Sequence, residues 1–227
     1  MSRMANRSYL GIWTSGFSAE TMLAQFRALL ETVPFSAKRH GFSGLVVRAL
    51  DPSETPLDEH DLRGLPLDAA GIIEMAREHL NADTEYEASA HWDLWVYDAG
   101  AGAWRFEPQP LEIICNGPDY DGGVCAEAGH FQADIGFEHL FTGHAGLLSS
   151  NGNRVAAPQH PAEAEFLARM QRPESLREYH EKTRENIAKL MDWVRAIEQA
   201  LPVERYGLWS EGEENFEARL DEILAVR

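Results

Sequence analysis

The chain has 227 residues, 44% hydrophobic and 10% aromatic, which is ample apolar material for one large domain and far from a disordered composition. Twenty basic residues against 37 acidic ones give a formal charge of −17. Such a surface repels the phosphate backbone of nucleic acids and anionic lipid, so neither is an expected partner. No run approaches the ~20 apolar residues that a membrane span needs, and the first residues carry no apolar run of signal-peptide length, so the expected compartment is the cytoplasm. Two cysteines, Cys115 and Cys125, fit a reducing setting as thiols, although a disulfide across the Gly-rich loop between them is conceivable. They are too few for an all-cysteine structural zinc site.

In chain order, "SYLGIWTS" (8–15) reads as a strand. Ser18 is a candidate N-cap, with Glu20 in the first turn, for a helix over 19–33. Its apolar stripe is Met22, Leu23, Phe26, Leu29, Leu30 and Val33, and Pro34 ends it. "FSGLVVRAL" (42–50) is a second strand. Residues 51–66 form a Pro-rich acidic loop carrying Asp51, Glu54, Asp58, Glu59, His60 and Asp61. A second helix, 68–80, has Asp68 as its cap and turns Ile72, Ile73, Ala76 and Leu80 inward.

The clearest β signal follows. "HWDLWVYD" (91–98) alternates, a turn occupies 99–102, and "AWRFEP" (103–108) returns as a hairpin. "PQP" then breaks the chain before a strand at 111–117. A long Gly-rich loop precedes the strand 130–138, whose Phe131, Ala133, Ile135 and Phe137 share the core face. From 161 the period is helical: Pro173 interrupts it, a long helix covers about 174–200, "RYGLW" is a short strand, and a last helix covers 213–226. "YLGIW" and "YGLW" are alike but too short to establish a repeat. The expected fold is α+β: a curved, mainly antiparallel sheet with a meander at about 90–138, packed on helices that include the long C-terminal one. The expected division is a sheet domain over 1–160 and a helical part over 161–227 packing on the same domain.

Three segments carry candidate sites. Residues 129–148 hold His130, Asp134, Glu138, His139 and His144. In a strand, His130 and Asp134 lie ~13 Å apart. On a helix, His139 and His144 are about 140° apart, unlike the i,i+4 pair of a zinc helix. The spacing therefore favours loop histidines over a metal centre. Asp119 and Asp121 in "NGPDYDGG" resemble a calcium loop in composition, but position twelve is His130 rather than Glu, so an Asx-type turn is expected. The hairpin places Trp92, Trp95, Tyr97, Trp104 and Phe106 on adjacent strands, where an uncovered face would make an aromatic platform and a covered one a second core layer.

No GxSxG, GxxxxGK[ST] or GxGxxG occurs, so no nucleophile elbow and no nucleotide cofactor is indicated; "SSNGN" (149–153) is a turn-rich loop rather than a phosphate cradle. The expected function is that of an acidic, soluble binding or interaction module without chemistry of its own, for a protein or small-molecule partner. Its expected site draws on Trp95, Tyr97, Trp104, Asp119, Asp121, His139 and His144. Two alternatives remain open: a carrier holding a small apolar ligand between sheet and long helix, and a metal-dependent, hydrolase-like enzyme using the histidines of 130–144. Oligomeric state is open.

Overall fold

A computed structural model describes residues 6–98, 100–144, 148 and 161–225. The loop expected at 149–153 and one residue of the hairpin turn, Ala99, lie outside them. The strands are β1 (Arg7–Thr14), β2 (Gly44–Ala49), β3 (Asp58–Asp61), β4 (Thr84–Asp98), β5 (Ala103–Asn116), β6 (Phe131–Phe137) and β7 (Val203–Ser210). The helices are α1 (Met22–Leu30), α2 (Ala69–Ala76), α3 (Cys125–Ala128), α4 (His139–Thr142), α5 (Pro161–Met170), α6 (Pro173–Ala200) and α7 (Phe216–Ala225). The strands form one seven-stranded sheet in the order β3-β2-β4-β5-β6-β1-β7. Every pairing is antiparallel. The protein is α+β, and the meander is β4-β5-β6.

One face of the sheet carries the core. Leu10 and Ile12 of β1, Leu45 and Val47 of β2 and Tyr86, Ala88 and Trp92 of β4 pack with α1, α2, α4, α6 and α7 in a single apolar cluster. Side chains alternate across a strand, so the partners of these residues point the other way. There, one register row crosses all seven strands: Asp61, Gly44, Ser89, Glu112, Asp134, Tyr9 and Trp209.

The structure departs from the sequence expectations where local signals competed with tertiary ones. α1 begins at Met22, because the Ser18 hydroxyl donates to Glu20 rather than capping the helix. Asp68 does cap α2, accepting from the N–H of Gly71. α2 gives way to a 3-10 turn at Arg77–His79, which leaves Leu80 exposed rather than inward. The acidic "loop" contains β3: an edge strand with water on its outer side tolerates charge and lacks apolar alternation. Pro108 and Pro110 do not break β5, because β6 pairs only with Glu112–Cys115 and no neighbour needs the missing N–H groups. The short strand expected at "RYGLW" forms as β7 (Val203–Ser210). β7 completes the sheet beside β1, with Gly207 opposite Gly11 and Leu208 opposite Leu10, so the two look-alike segments are neighbours. A Cβ on Gly11 would stand 2.7 Å from the Ala128 carbonyl oxygen and 2.8 Å from the Trp209 ring. The close approach of that ring requires glycine.

The β4–β5 hairpin runs past the end of β2 and winds around α6. Three α6 residues spaced by seven meet it in turn. Trp193 packs edge to face on Trp92 at 5.9 Å. Asn186 takes the place of a strand partner: its Oδ1 accepts from the N–H of Trp95 at 2.8 Å and its Nδ2 donates to the Trp95 carbonyl at 2.9 Å. Tyr179 packs on Trp104 at 5.0 Å. At Trp95 the bare edge of β4 is thereby satisfied without a further strand.

Candidate functional site

The seven residues singled out by sequence do not all converge: Tyr97, Trp104 and His144, with His139 stacked on it, gather around Phe166 and Tyr179, whereas Asp119 and Asp121 do not join them. Tyr97 and Trp104 join Tyr179, Phe166 and Met170 in a satellite core under α5 and α6, so this part of the aromatic face is a second packed layer. Trp95 packs at a tilt against Phe106 at 5.0 Å, its indole donates to Glu185, and the Lys182 ammonium sits over its ring at 3.8 Å. Asp119 and Asp121 are exposed on the loop after β5.

His139 and His144 are brought together, against the expectation from helical phase. α4 ends at Thr142, and Gly143, at φ +80°, turns the chain so that the two rings stack at 4.1 Å. Burial, with His144 adding to it, pulls the His139 imidazole down to about 3. His130 lies elsewhere, its Nδ1 accepting from the N–H of Thr14 at 3.0 Å. Among the described residues no three His, Cys, Asp or Glu side chains are arranged to hold a metal ion. None of their helices is long and apolar enough to cross a membrane. Cys115 and Cys125 are both free and buried.

A different constellation forms a cleft of about 470 Å³ at the β4 edge, lined by Lys38, Arg39, His40, Ser43, Arg63 and His91, with Gly41 and Pro66 completing the wall. That volume lies in the range of small-ligand pockets. Three parts of the chain build it: 38–43, 63–66 and His91 of β4. After α1, Phe35 bridges to Trp92, and the N–H of Ser36 donates to the His91 carbonyl at 2.7 Å. The buried Ser36 hydroxyl accepts from the N–H groups of Lys38 and Arg39, at 3.1 and 3.3 Å, a side-chain turn that projects both cations outward. The N–H of Ala37 donates to Asp93 at 2.9 Å. On the far side Gly41, at φ +88°, packs against Pro66, and Phe42 exchanges backbone bonds with Leu67. The 36–42 turn is therefore held at both ends.

The electrostatics of the cleft invert those of the chain. Among the described residues no Asp or Glu lines it, although acidic residues outnumber basic ones 37 to 20 overall. Arg63 is already matched by Asp61 through two bonds of 2.9 and 2.6 Å. Arg39 donates to Nε2 of His91 at 2.9 Å; a guanidinium has only donors, so this nitrogen accepts and the ring is neutral. Burial, then the Arg39 charge, holds the His91 imidazole below its usual value. Neither Lys38 nor Arg39 forms an ion pair among the described residues. Sequence reading missed this cleft. Its local signal was "KRH" (38–40), three basic residues together in an acidic chain; Arg63 and His91 join only through the fold.

The open face of the sheet is the other polar surface. Arg48 reaches Glu85 and Glu87 at 2.9 and 2.8 Å, Arg7 reaches Asp134 at 2.6 Å, and burial raises the Glu112 carboxyl above its ordinary range. These carboxylates face one another and neighbouring arginines. Comparison of the chain with family models, curated proteins and solved structures finds no match.

Proposed function

We propose that the protein is a binding module without chemistry of its own, and that the cleft at the β4 edge takes a small anionic molecule. One observation carries this reading: cationic side chains gather in one concave site on a chain of formal charge −17, and two of them have no carboxylate partner among the described residues. Like charges brought together without counter-charges disfavour the folded state, so an anion that neutralises them binds favourably there. The acidic remainder of the surface keeps long polyanions away and supports a small ligand over nucleic acid. The free, buried thiols of Cys115 and Cys125 support a reducing, cytoplasmic setting. The apolar-carrier reading has less support, because Trp92, Trp193, Leu190 and Val194, each at most 2% exposed, fill the space between sheet and α6.

Thermal unfolding with and without phosphate tests the proposal. For a millimolar site, about 10 mM inorganic phosphate stabilises the native state by about 1.4 kcal/mol, or about 3–6 °C in Tm at this chain length. Arg39→Met abolishes the shift. An equal shift in that variant, or none in the wild-type protein, refutes the assignment.

A further inference from the structure

The charge balance inside the cleft narrows the ligand. Arg63 is neutralised by the bidentate carboxylate of Asp61, and His91 is held as a neutral acceptor by Arg39. Among the described residues two positive charges, Lys38 and Arg39, form no ion pair, and they stand side by side on one turn held at both ends. They differ in kind: a guanidinium presents a planar fork of N–H donors, and an ammonium is a compact point charge. Phosphate oxygens suit both at once, the fork engaging two oxygens and the ammonium a third.

Just beyond these cations the sign changes. Asp61 stands behind Arg63, and Glu59 shares its face of β3. A third or fourth negative charge on the ligand would meet carboxylates rather than further cations.

We propose that the cleft binds a small molecule through one dianionic phosphate monoester group, held by Lys38 and Arg39, and that it discriminates against both singly charged anions and longer polyphosphates. This inference rests on the anion-binding reading above and deepens it. The charge count sets the preference for a dianion, and the carboxylates behind Arg63 set the upper limit.

Calorimetric titration of the full chain near pH 7.5 and at low salt tests it with methyl phosphate, dimethyl phosphate, tripolyphosphate, acetate and a neutral peptide bearing one phosphoserine. Methyl phosphate should bind about tenfold or more tightly than dimethyl phosphate or acetate. Tripolyphosphate should bind no more tightly than methyl phosphate. Lys38→Gln and Arg39→Gln should each weaken methyl phosphate by about tenfold and bring its affinity close to that of dimethyl phosphate. Both side chains are exposed, so unchanged urea midpoints verify that these variants fold. Equal binding of mono- and dianions, or affinity that climbs with each added phosphate, overturns the proposal and leaves a general anion site standing. Tighter binding of the phosphopeptide than of methyl phosphate transfers the site to a phosphorylated protein and overturns the small-molecule assignment. Failure of every anion to bind removes both readings.

Discussion

Replacing Asn186 by leucine should destabilise the protein more than any neighbouring surface change, because one amide holds three elements together. The side chain is 2% exposed. It accepts from the Trp95 N–H at 2.8 Å and donates to the carbonyls of Trp95 and Leu140, both at 2.9 Å. Leucine has nearly the same volume, so the loss is polar rather than a cavity. Each bond contributes about 1 kcal/mol net, and a buried backbone group left without a partner costs about 1–3 kcal/mol. Trp95 is only partly buried, so water repairs some of the damage there, and the expected total is about 3–4 kcal/mol. Asn186→Asp should cost a similar amount at neutral pH. Its carboxylate can still accept from Trp95 but must face two carbonyls, and the cost should shrink in acid, where a protonated Asp donates again. Urea unfolding followed by tryptophan fluorescence measures both variants, with the slope m checked for constancy. A loss below about 1 kcal/mol for Asn186→Leu would show that the β4 edge does not depend on the helix for its hydrogen bonds.

Two further outcomes follow from the packing. The His139 imidazole is drawn down to about 3 by burial, whereas in the unfolded chain it titrates near ~6.5. Between those values the unfolded state holds the extra proton, so this contribution is complete above the upper value and is lost as pH falls through the window, by about 2.5 kcal/mol between about pH 7 and 4.5. His139→Phe should flatten that part of the stability profile, and an unchanged acid slope would contradict the burial argument. Gly11→Ala should cost about 2 kcal/mol or more, because its Cβ would strike the Ala128 carbonyl and the Trp209 ring, whereas Gly207→Ala, with only the Trp13 ring nearby at 3.9 Å, should be neutral or stabilising by about 0.5 kcal/mol. Comparable melting shifts in the two variants would count against the asymmetry.

The sheet was legible wherever one face is buried. Trp92 and Leu94 on β4, and Phe131, Ala133 and Ile135 on β6, alternate because their neighbours point away from the core. β3 was illegible for the converse reason: an edge strand written Asp-Glu-His-Asp obeys no apolar period. Pro108 and Pro110 read as a break, since sequence does not reveal that β6 stops short of them. Part of the candidate site was open to local reading, in Lys38, Arg39 and His40. Arg63 and His91 enter through a strand pairing and a turn contact that no local pattern encodes. The His139–His144 stack depended on one positive φ at Gly143, which undid the helical phase relation that separated the two rings.

The placement of β1 has a consequence for biosynthesis. It lies between β6 and β7, so its two hydrogen-bonding edges are claimed by Phe131–Phe137 and by Val203–Ser210. At ribosomal speeds of about 5–20 residues per second, β1 waits on the order of ten seconds for its first partner and longer for its second. During that interval Leu10 and Ile12, buried in the finished protein, stand on a strand with two bare edges. Such a strand is a template for pairing with other nascent chains. Translation that stalls before β7 would release a product that keeps β1 and lacks its outer neighbour, leaving that edge of β1 bare.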